Sequence, residues 1–292
     1  MRKNEPRSLL MMTAAMLIYG SIGVFRRYIP LSSAALACFR GLSGAVFLLL
    51  VCLLRRRRLN FRLGAKRLGG LILSGAMIGL NWILLFEAYR YTTVAVATLC
   101  YYMAPTGVML LSPLVLGERL TARKLVCAAL ALFGMLLVSG LLGGAGGADL
   151  RGIAFGLGAA ALYAAVVLLN KKLPGIDAFE KTIVQLGSAG LVLVPYVLLR
   201  GIETTGPMTT VSVVLLIVVG LVHTGLAYTL YFGSMDGLRA QTVAILSYLD
   251  PVTALLLGGL LLGEPLTPAG IAGAVLILGS AAAAELLPEK RT

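Results

Sequence analysis

The side chains that could do chemistry in this chain are a few ionisable residues set inside long apolar stretches. Arg40, Glu87, His223 and Asp250 are the main ones. Such a group costs roughly 2.5–3.5 kcal/mol at the centre of a membrane helix unless it is paired or lines a water-filled cavity. They are therefore candidates for a binding or coupling site inside a membrane.

Asp250 and His223 are candidates for coupling transport to an ion. Asp250 precedes Pro251 in the middle of an apolar stretch, and an acid beside a broken helix recurs in secondary transporters. The alternative is an acid bonded to a neighbouring helix. His223 is either a hydrogen-bonded packing residue or a substrate contact or proton carrier, because imidazole titrates near neutral pH.

Glu87 has two interpretations. It could face a cavity as the counter-charge for an amine, near Tyr101 and Tyr102, or it could form a salt bridge to Arg90 at i+3 or to Arg40. We favour the cavity, and hence an amine-bearing metabolite such as an amino acid. Asn81 is a further candidate, although it could simply bond a neighbouring helix.

Aromatic residues complete the candidate site. Those within apolar stretches are Tyr19, Trp82, Tyr101, Tyr102, Tyr163, Tyr228, Tyr231 and Tyr248. Some could instead mark membrane interfaces. Aromatic rings beside an acid suit an ammonium group through cation–π contact. The predicted substrate-binding set is Tyr19, Asn81, Trp82, Glu87, Tyr101, Tyr102, Tyr163, His223, Tyr228 and Tyr248.

The elements that must position these residues are membrane helices. The chain is 59% hydrophobic, with mean hydropathy +0.95 and 13% charged residues, which is more apolar than a soluble domain needs. The sequence predicts an all-α integral membrane protein of ten spans. The spans lie at about 8–25, 33–54, 68–89, 93–116, 125–142, 152–169, 183–199, 211–232, 241–262 and 269–286.

The chain contains one stretch twice. Residues 104–121 and 250–267 match at a constant offset of 146, with nine of eighteen positions identical, including the Pro, Gly-Glu and Leu-Thr positions. Basic residues follow the first Gly-Glu and are absent after the second. We therefore predict two five-helix repeats of inverted topology, residues 1–147 and 148–292.

Charge sets the predicted orientation. With the amino terminus inside, cytoplasmic segments hold 18 Lys/Arg and external segments hold 5, so both termini are expected to be cytoplasmic. We attribute the net charge of +13 to anchoring on anionic lipid and to control of membrane topology, and not to nucleic-acid binding.

Enzyme chemistry is not expected. The sequence has no phosphate-binding G-x-x-x-x-G-K-[ST] loop and only one histidine. Its four cysteines lack the spacing of metal ligands, so no catalytic residue, metal or cofactor is predicted. They are Cys38, Cys52, Cys100 and Cys127.

These features resemble the EamA family of the drug/metabolite transporter superfamily. The residues that carry the resemblance are the LGERLT and LGEPLT corners, Arg40, the segment 89–93, and 249–251. The resemblance implies a small-metabolite transporter whose spans 1, 3, 4, 6, 8 and 9 surround a central cavity. Asp250 stands where the family often has Glu.

Three functions stay open at this point. The first is a secondary transporter of a small polar or amine-bearing metabolite, expected to be an exporter working by alternating access in the cell membrane. A proton could be its coupling ion. The second is a membrane-embedded enzyme using His223 with Asp250, and the third is a channel or scaffold. The oligomeric state is not predicted.

Overall fold

The computed structural model describes residues 5–56, 59, 63–92, 97, 100–138, 149–263 and 267–286. Its elements are helices, joined by loops and by one isolated bridge between Leu31 and Thr204. In chain order they are α1 (Glu5–Arg26), α2 (Ser33–Leu54), α3 (Ala65–Tyr91), α4 (Met103–Leu116), α5 (Ala122–Val138), α6 (Leu150–Lys171), α7 (Ala178–Arg200), α8 (Thr210–Ser234), α9 (Ala240–Leu262) and α10 (Pro268–Leu286).

Seven of these helices are long and apolar enough to cross a membrane, namely all except α4, α5 and α10. The first residues of the predicted fourth span, 93–96, and the end of the fifth, 139–142, lie outside the described residues. The described part of the chain is therefore all-helical, and its long apolar helices are those of a multi-pass membrane protein. The count of ten spans stays a prediction.

Polar residues in the loops set where helices begin. The side chains of Ser32, Asp149, Asp177 and Thr209 each accept a hydrogen bond from a backbone N–H in the first turn that follows. Such caps satisfy amide groups that a helix leaves unpaired. The apolar stretches of the sequence therefore start as helices close to the predicted positions.

The duplicated stretch forms two nearly identical pieces. α4 follows Tyr102 and ends at Gly117, whose φ is 68°. The second part of α9, Leu249–Leu262, follows Tyr248 and ends at Gly263, whose φ is 66°. Both glycines adopt the left-handed conformation that ends many helices.

The prolines of the duplicated stretch do not sit at the break itself. Pro105 and Pro251 occupy the first turn of their helices, where a missing N–H costs nothing. In α9 the interruption comes upstream, at Ser247 and Tyr248, between Ala240–Leu246 and Leu249–Leu262. Asp250 therefore lies in the first turn of a new helical piece, at mid-span.

Helix packing follows a regular pattern. α1 packs on α8 and α9, α2 on α7 and α8, α3 on α6 and α7, α4 on α6 and α9, and α5 on α10. The pattern is unchanged when every helix is exchanged for the one five places along. α3 and α7 approach closely at Gly75, where an added Cβ would lie 2.4 Å from the Gln185 carbonyl oxygen of α7.

One end of the bundle, which we call the basic face, holds the ends of α2, α4, α6 and α8. There Glu118, just after α4, accepts hydrogen bonds from the backbone N–H groups of Ala240 (2.9 Å) and Gln241 (3.4 Å) at the start of α9. Lys171 donates to the carbonyl oxygens of Met235 and Leu238 after α8. These contacts join the two halves of the chain at this face.

Candidate functional site

Aromatic side chains from five parts of the chain meet in the middle of the bundle. We call them the aromatic cluster: Tyr19 of α1, Trp82 of α3, Tyr101 and Tyr102 before α4, Tyr163 of α6, and Tyr228 and Tyr231 of α8. Successive ring centroids lie between 5.3 and 6.4 Å apart, mostly edge to face or tilted. These are favourable aromatic geometries.

Arg40 of α2 brings a positive charge to the cluster. Its guanidinium carbon lies 5.8 Å from the centre of the Trp82 ring, within cation–π range. Its Nε donates a hydrogen bond to Thr224 Oγ1 at 3.0 Å. Among the described residues, no carboxylate comes within the 4.0 Å of an ion pair. Neither of its two contacts neutralises the charge.

Asp250 of α9 brings a negative charge to the same cluster. The Tyr102 side chain lies beside its carboxylate and interacts with it. The backbone carbonyl of Asp250 packs on α1, where a Cβ added to Gly20 would lie 2.5 Å from it. No cationic side chain in the described part of the chain forms an ion pair with this carboxylate.

Arg40 and Asp250 therefore face one site without touching each other. They stand at the two ends of the chain of ring contacts, Arg40 beside Trp82 and Asp250 beside Tyr102. Both keep part of their surface accessible although they lie inside the bundle. The buried hydroxyl of Tyr19 also has no hydrogen-bond partner within the described structure. The arrangement suits a molecule that carries both charges and an apolar body.

A π-helical segment in α8 places two further polar residues. Val219–Leu226 takes the wider π form, which appears often at functional sites. Within it Thr224 donates to the Val219 carbonyl oxygen at 3.1 Å and accepts from Arg40. The next residue upstream, His223, turns to α1, with Nε2 2.9 Å from Ser21 Oγ. The segment thus forms side-chain hydrogen bonds to two neighbouring helices, α1 and α2.

The structure brings together six of the ten predicted binding residues, namely Tyr19, Trp82, Tyr101, Tyr102, Tyr163 and Tyr228. The coupling candidate Asp250 joins them. The helices that supply them are those that the resemblance assigned to a cavity wall, together with α2 through Arg40.

Three other predicted residues are engaged in packing. Asn81 donates to the Ala159 carbonyl oxygen of α6 at 2.5 Å, which is the helix–helix bond given as its alternative. Tyr248 is buried against α5 and α10, and its hydroxyl lies 3.1 Å from Thr106 Oγ1. His223 packs its ring edge-on against Phe25, at 4.5 Å between centroids.

Glu87 lies between α3 and α7, away from the aromatic cluster. It pairs with Arg90 at 3.0 Å and with Arg200 at 3.5 Å, and it accepts a hydrogen bond from the Tyr196 hydroxyl. The observed contact is the i+3 salt bridge, and not the pairing with Arg40. The geometry therefore gives no support to Glu87 as the counter-charge of the site, for which Asp250 is better placed.

Arg40, Thr224 and Tyr231 belong to the site but were not in the predicted binding set. An arginine inside an apolar span was the available signal for Arg40. Tyr231 was recognised as an aromatic within a span. Nothing in the sequence marks the π-helical turn that brings Thr224 to Arg40.

Comparison with known proteins agrees with this architecture. Residues 6–140 and 150–284 each match the family model described as EamA-like transporter family. A Bacillus subtilis (strain 168) protein named uncharacterized transporter YxxF is 26% identical over 257 residues, covering 87% of this chain and 82% of its own. An uncharacterized transporter from Archaeoglobus fulgidus is 32% identical over 193 residues, 65% of this chain and 67% of its own.

A solved crystal structure shares the fold, with a TM-score of 0.81 over 97% of both chains at 19% sequence identity. Each half of the chain thus contains one match to the family model. With both matches spanning nearly all of its length, the chain belongs to the EamA family of the drug/metabolite transporter superfamily.

Proposed function

We propose that this protein is a secondary transporter of small amine-bearing metabolites, and that its substrate is a zwitterion such as an amino acid. The observation that carries the proposal is the unpaired opposition of Arg40 and Asp250 across the aromatic cluster. A charge without a partner is costly inside a membrane. A substrate with an ammonium and a carboxylate group would compensate both charges at once.

Each part of the site has a matching part in such a substrate. The carboxylate would accept hydrogen bonds from the Arg40 guanidinium, which presents several donors in a plane. The ammonium would pair with Asp250 and lie against the faces of Tyr101 and Tyr102. An apolar or aromatic side chain would pack among the remaining rings, and the free Tyr19 hydroxyl could take a polar atom.

Alternating access between two inverted repeats is the mechanism we propose. Contacts between equivalent helices support inversion. In α2 and α7, Gly41 packs on Gly190 and Gly44 on Leu186, so these helices run antiparallel. The equivalents α4 and α9 also run antiparallel. In them Tyr102 pairs with Tyr248, whereas Ser112, ten residues further along, pairs with Gln241. Two halves related in this way can rock around a central site.

We further propose that the protein lies in the cell membrane with both termini in the cytoplasm. The basic face is then cytoplasmic, in line with the excess of Lys and Arg in the loops that end there. We take export as the direction of transport and expect no metal or cofactor. A proton and a substrate ammonium would compete for Asp250, which offers one route to proton exchange.

The enzyme alternative has little geometric support. His223 is bonded to Ser21, and no described contact joins its ring to Asp250. A shared proton between the two would need such a contact.

Counterflow in proteoliposomes tests the proposal. Vesicles loaded with an unlabelled aromatic or aliphatic amino acid should take up the labelled compound transiently, with saturation. A channel would conduct without saturation or counterflow, and an enzyme would convert the compound without a second compartment. Absence of counterflow for every zwitterion and amine tried, with a folded protein, would contradict the proposal.

A further inference from the structure

A second cavity lies apart from the aromatic cluster, on the outer side of α4 and α6. It is a groove of about 640 Å³ between seven residues of α4 from Met103 to Val115 and eight residues from Leu157 to Lys172 on and just after α6. Only Thr106 and Lys172 carry polar side chains in this lining. The groove is open along the side where Leu110, Leu111 and Leu157 of its lining are exposed, so in a membrane its occupant comes from the lipid phase.

The groove has the length and direction of a lipid chain. α4 and α6 run parallel there, since Cys100 contacts Gly156 and Gly107 contacts Ala164. The fifteen helical steps from Leu157 to Lys172 span about 22 Å. The hydrocarbon core of a bilayer is about 30 Å thick. The groove therefore runs from the basic face past the membrane midplane.

The mouth of the groove at the basic face is positively charged. Lys172 is exposed and lines the groove. Arg119, three residues after the end of α4, is exposed at the same face. Neither side chain forms an ion pair with an acidic residue of the described chain. Cations at this depth attract anionic headgroups.

We propose that this groove binds one anionic phospholipid from the leaflet at the basic face. One acyl chain lies along the floor formed by Gly107 and Ala161, and the phosphate sits at Lys172. The inference is independent of transport, because it concerns the outer side of two helices and none of the residues of the aromatic cluster. As the occupant, a lipid is favoured over a second copy of the chain, because a cation without an ion-pair partner at the mouth of an apolar groove matches an anionic amphiphile.

The test measures binding of phosphatidylglycerol and phosphatidylcholine of identical chains to the full-length protein in detergent, through the lipid dependence of its melting temperature. Glycerol phosphate, which has the charge without the chain, is the third ligand. We expect phosphatidylglycerol to stabilise at lower concentration than phosphatidylcholine, and glycerol phosphate to have no effect. Lys172→Gln should raise the half-saturating concentration of phosphatidylglycerol about fivefold, towards that of phosphatidylcholine.

Matched variants separate the groove from the rest of the surface. Ala161→Leu fills the groove and should abolish the lipid effect, whereas Ala129→Leu, at an exposed alanine of α5, should leave it intact. Lys66→Gln, at an exposed lysine that begins α3 at the same face, controls for general charge.

Equal stabilisation by both lipids in the wild-type protein would overturn the proposal. So would equal loss in Ala161→Leu and Ala129→Leu. A change of oligomeric state in Ala161→Leu, without any lipid effect in the wild type, would assign the groove to a second copy of the chain.

Discussion

The pairs α1–α9 and α6–α4 are equivalent in the two repeats, yet they are packed differently. In α1–α9 the helices touch closely, since a Cβ on Gly20 would lie 2.5 Å from both the Asp250 carbonyl oxygen and Thr253 Cβ. In α6–α4 a Cβ added to Gly107, the equivalent of Thr253, would lie 3.5 Å from Ala164 Cβ, which is ordinary van der Waals contact. The α1–α9 pair holds Asp250 beside the aromatic cluster. The α6–α4 pair leaves the groove between its two helices.

Residue exchanges at equivalent positions explain the difference. At the offset of 146, Asp250 corresponds to Ala104, Tyr19 to Ala165, and Thr253 to Gly107. The α1–α9 pair thus has the acid, the ring and Thr253 where α6–α4 has small residues, and it has Gly20 where α6 has Val166. The duplicated framework is the same, and the chemistry of each pair follows from a few side chains.

The largest effect is expected from closing the tight contact of α1–α9. Gly20→Ala should lower the free energy of unfolding by about 1–3 kcal/mol, because the added methyl group overlaps backbone and Thr253. Gly23→Ala on the same helix has no atom within 4 Å of its Cβ and is the control. It should be neutral or slightly stabilising. Melting in detergent checks both, and equal effects would show that this packing is not specific.

The next effect concerns the link between the two pairs at the basic face. Glu118→Ala removes the acceptor of two N–H groups that begin α9, so we expect a loss of about 1–2 kcal/mol, as for a helix cap. Glu203→Ala, at an exposed residue between α7 and α8, is the control and should melt like the wild type. A Glu118→Ala variant of unchanged stability would contradict the capping role.

A smaller effect is expected where α8 positions Arg40. Thr224→Val keeps the shape and removes the acceptor at 3.0 Å, which should weaken substrate binding about three- to tenfold. Thr224→Ser should restore most of it. The loss should be larger for an amino acid than for the amine without a carboxylate. Equal weakening of both compounds would show that Thr224 acts on packing and not through Arg40.

The smallest effect is expected at Glu87, which belongs to neither pair. Glu87→Gln should cost only about 0.5–1 kcal/mol of stability, since both arginine partners are about half exposed. Substrate preference should not change. A selective loss of amine binding, measured by counterflow competition, would instead restore Glu87 to the site.

Much of the fold could be predicted because its causes are local in the sequence. Apolar length predicts long helices, and seven helices in the described part of the chain are long and apolar enough to cross a membrane. The division into two repeats stays a prediction, with one family match in each half. Seven of the eight aromatic residues named within apolar stretches meet in the aromatic cluster, and Tyr248 does not.

The contacts of individual polar residues could not be predicted, because a span has several faces and the sequence does not say which neighbour each one meets. Asn81 and Tyr248 found partners on neighbouring helices. Glu87 forms an ion pair with Arg200, which is more than 100 residues away in the chain. The π-helical turn around Thr224 depends on tertiary packing and has no local signature.

The most direct test of the account is the substrate preference of Arg40→Gln and Asp250→Asn. Counterflow competition should use three compounds with one apolar side chain: the amino acid, the amine without carboxylate and the acid without ammonium. The wild type should prefer the amino acid by about tenfold or more. Asp250→Asn should no longer prefer the amino acid over the acid without ammonium. Arg40→Gln should no longer prefer the amino acid over the amine without carboxylate. Equal weakening of all three compounds in both variants would contradict a site built from these two charges.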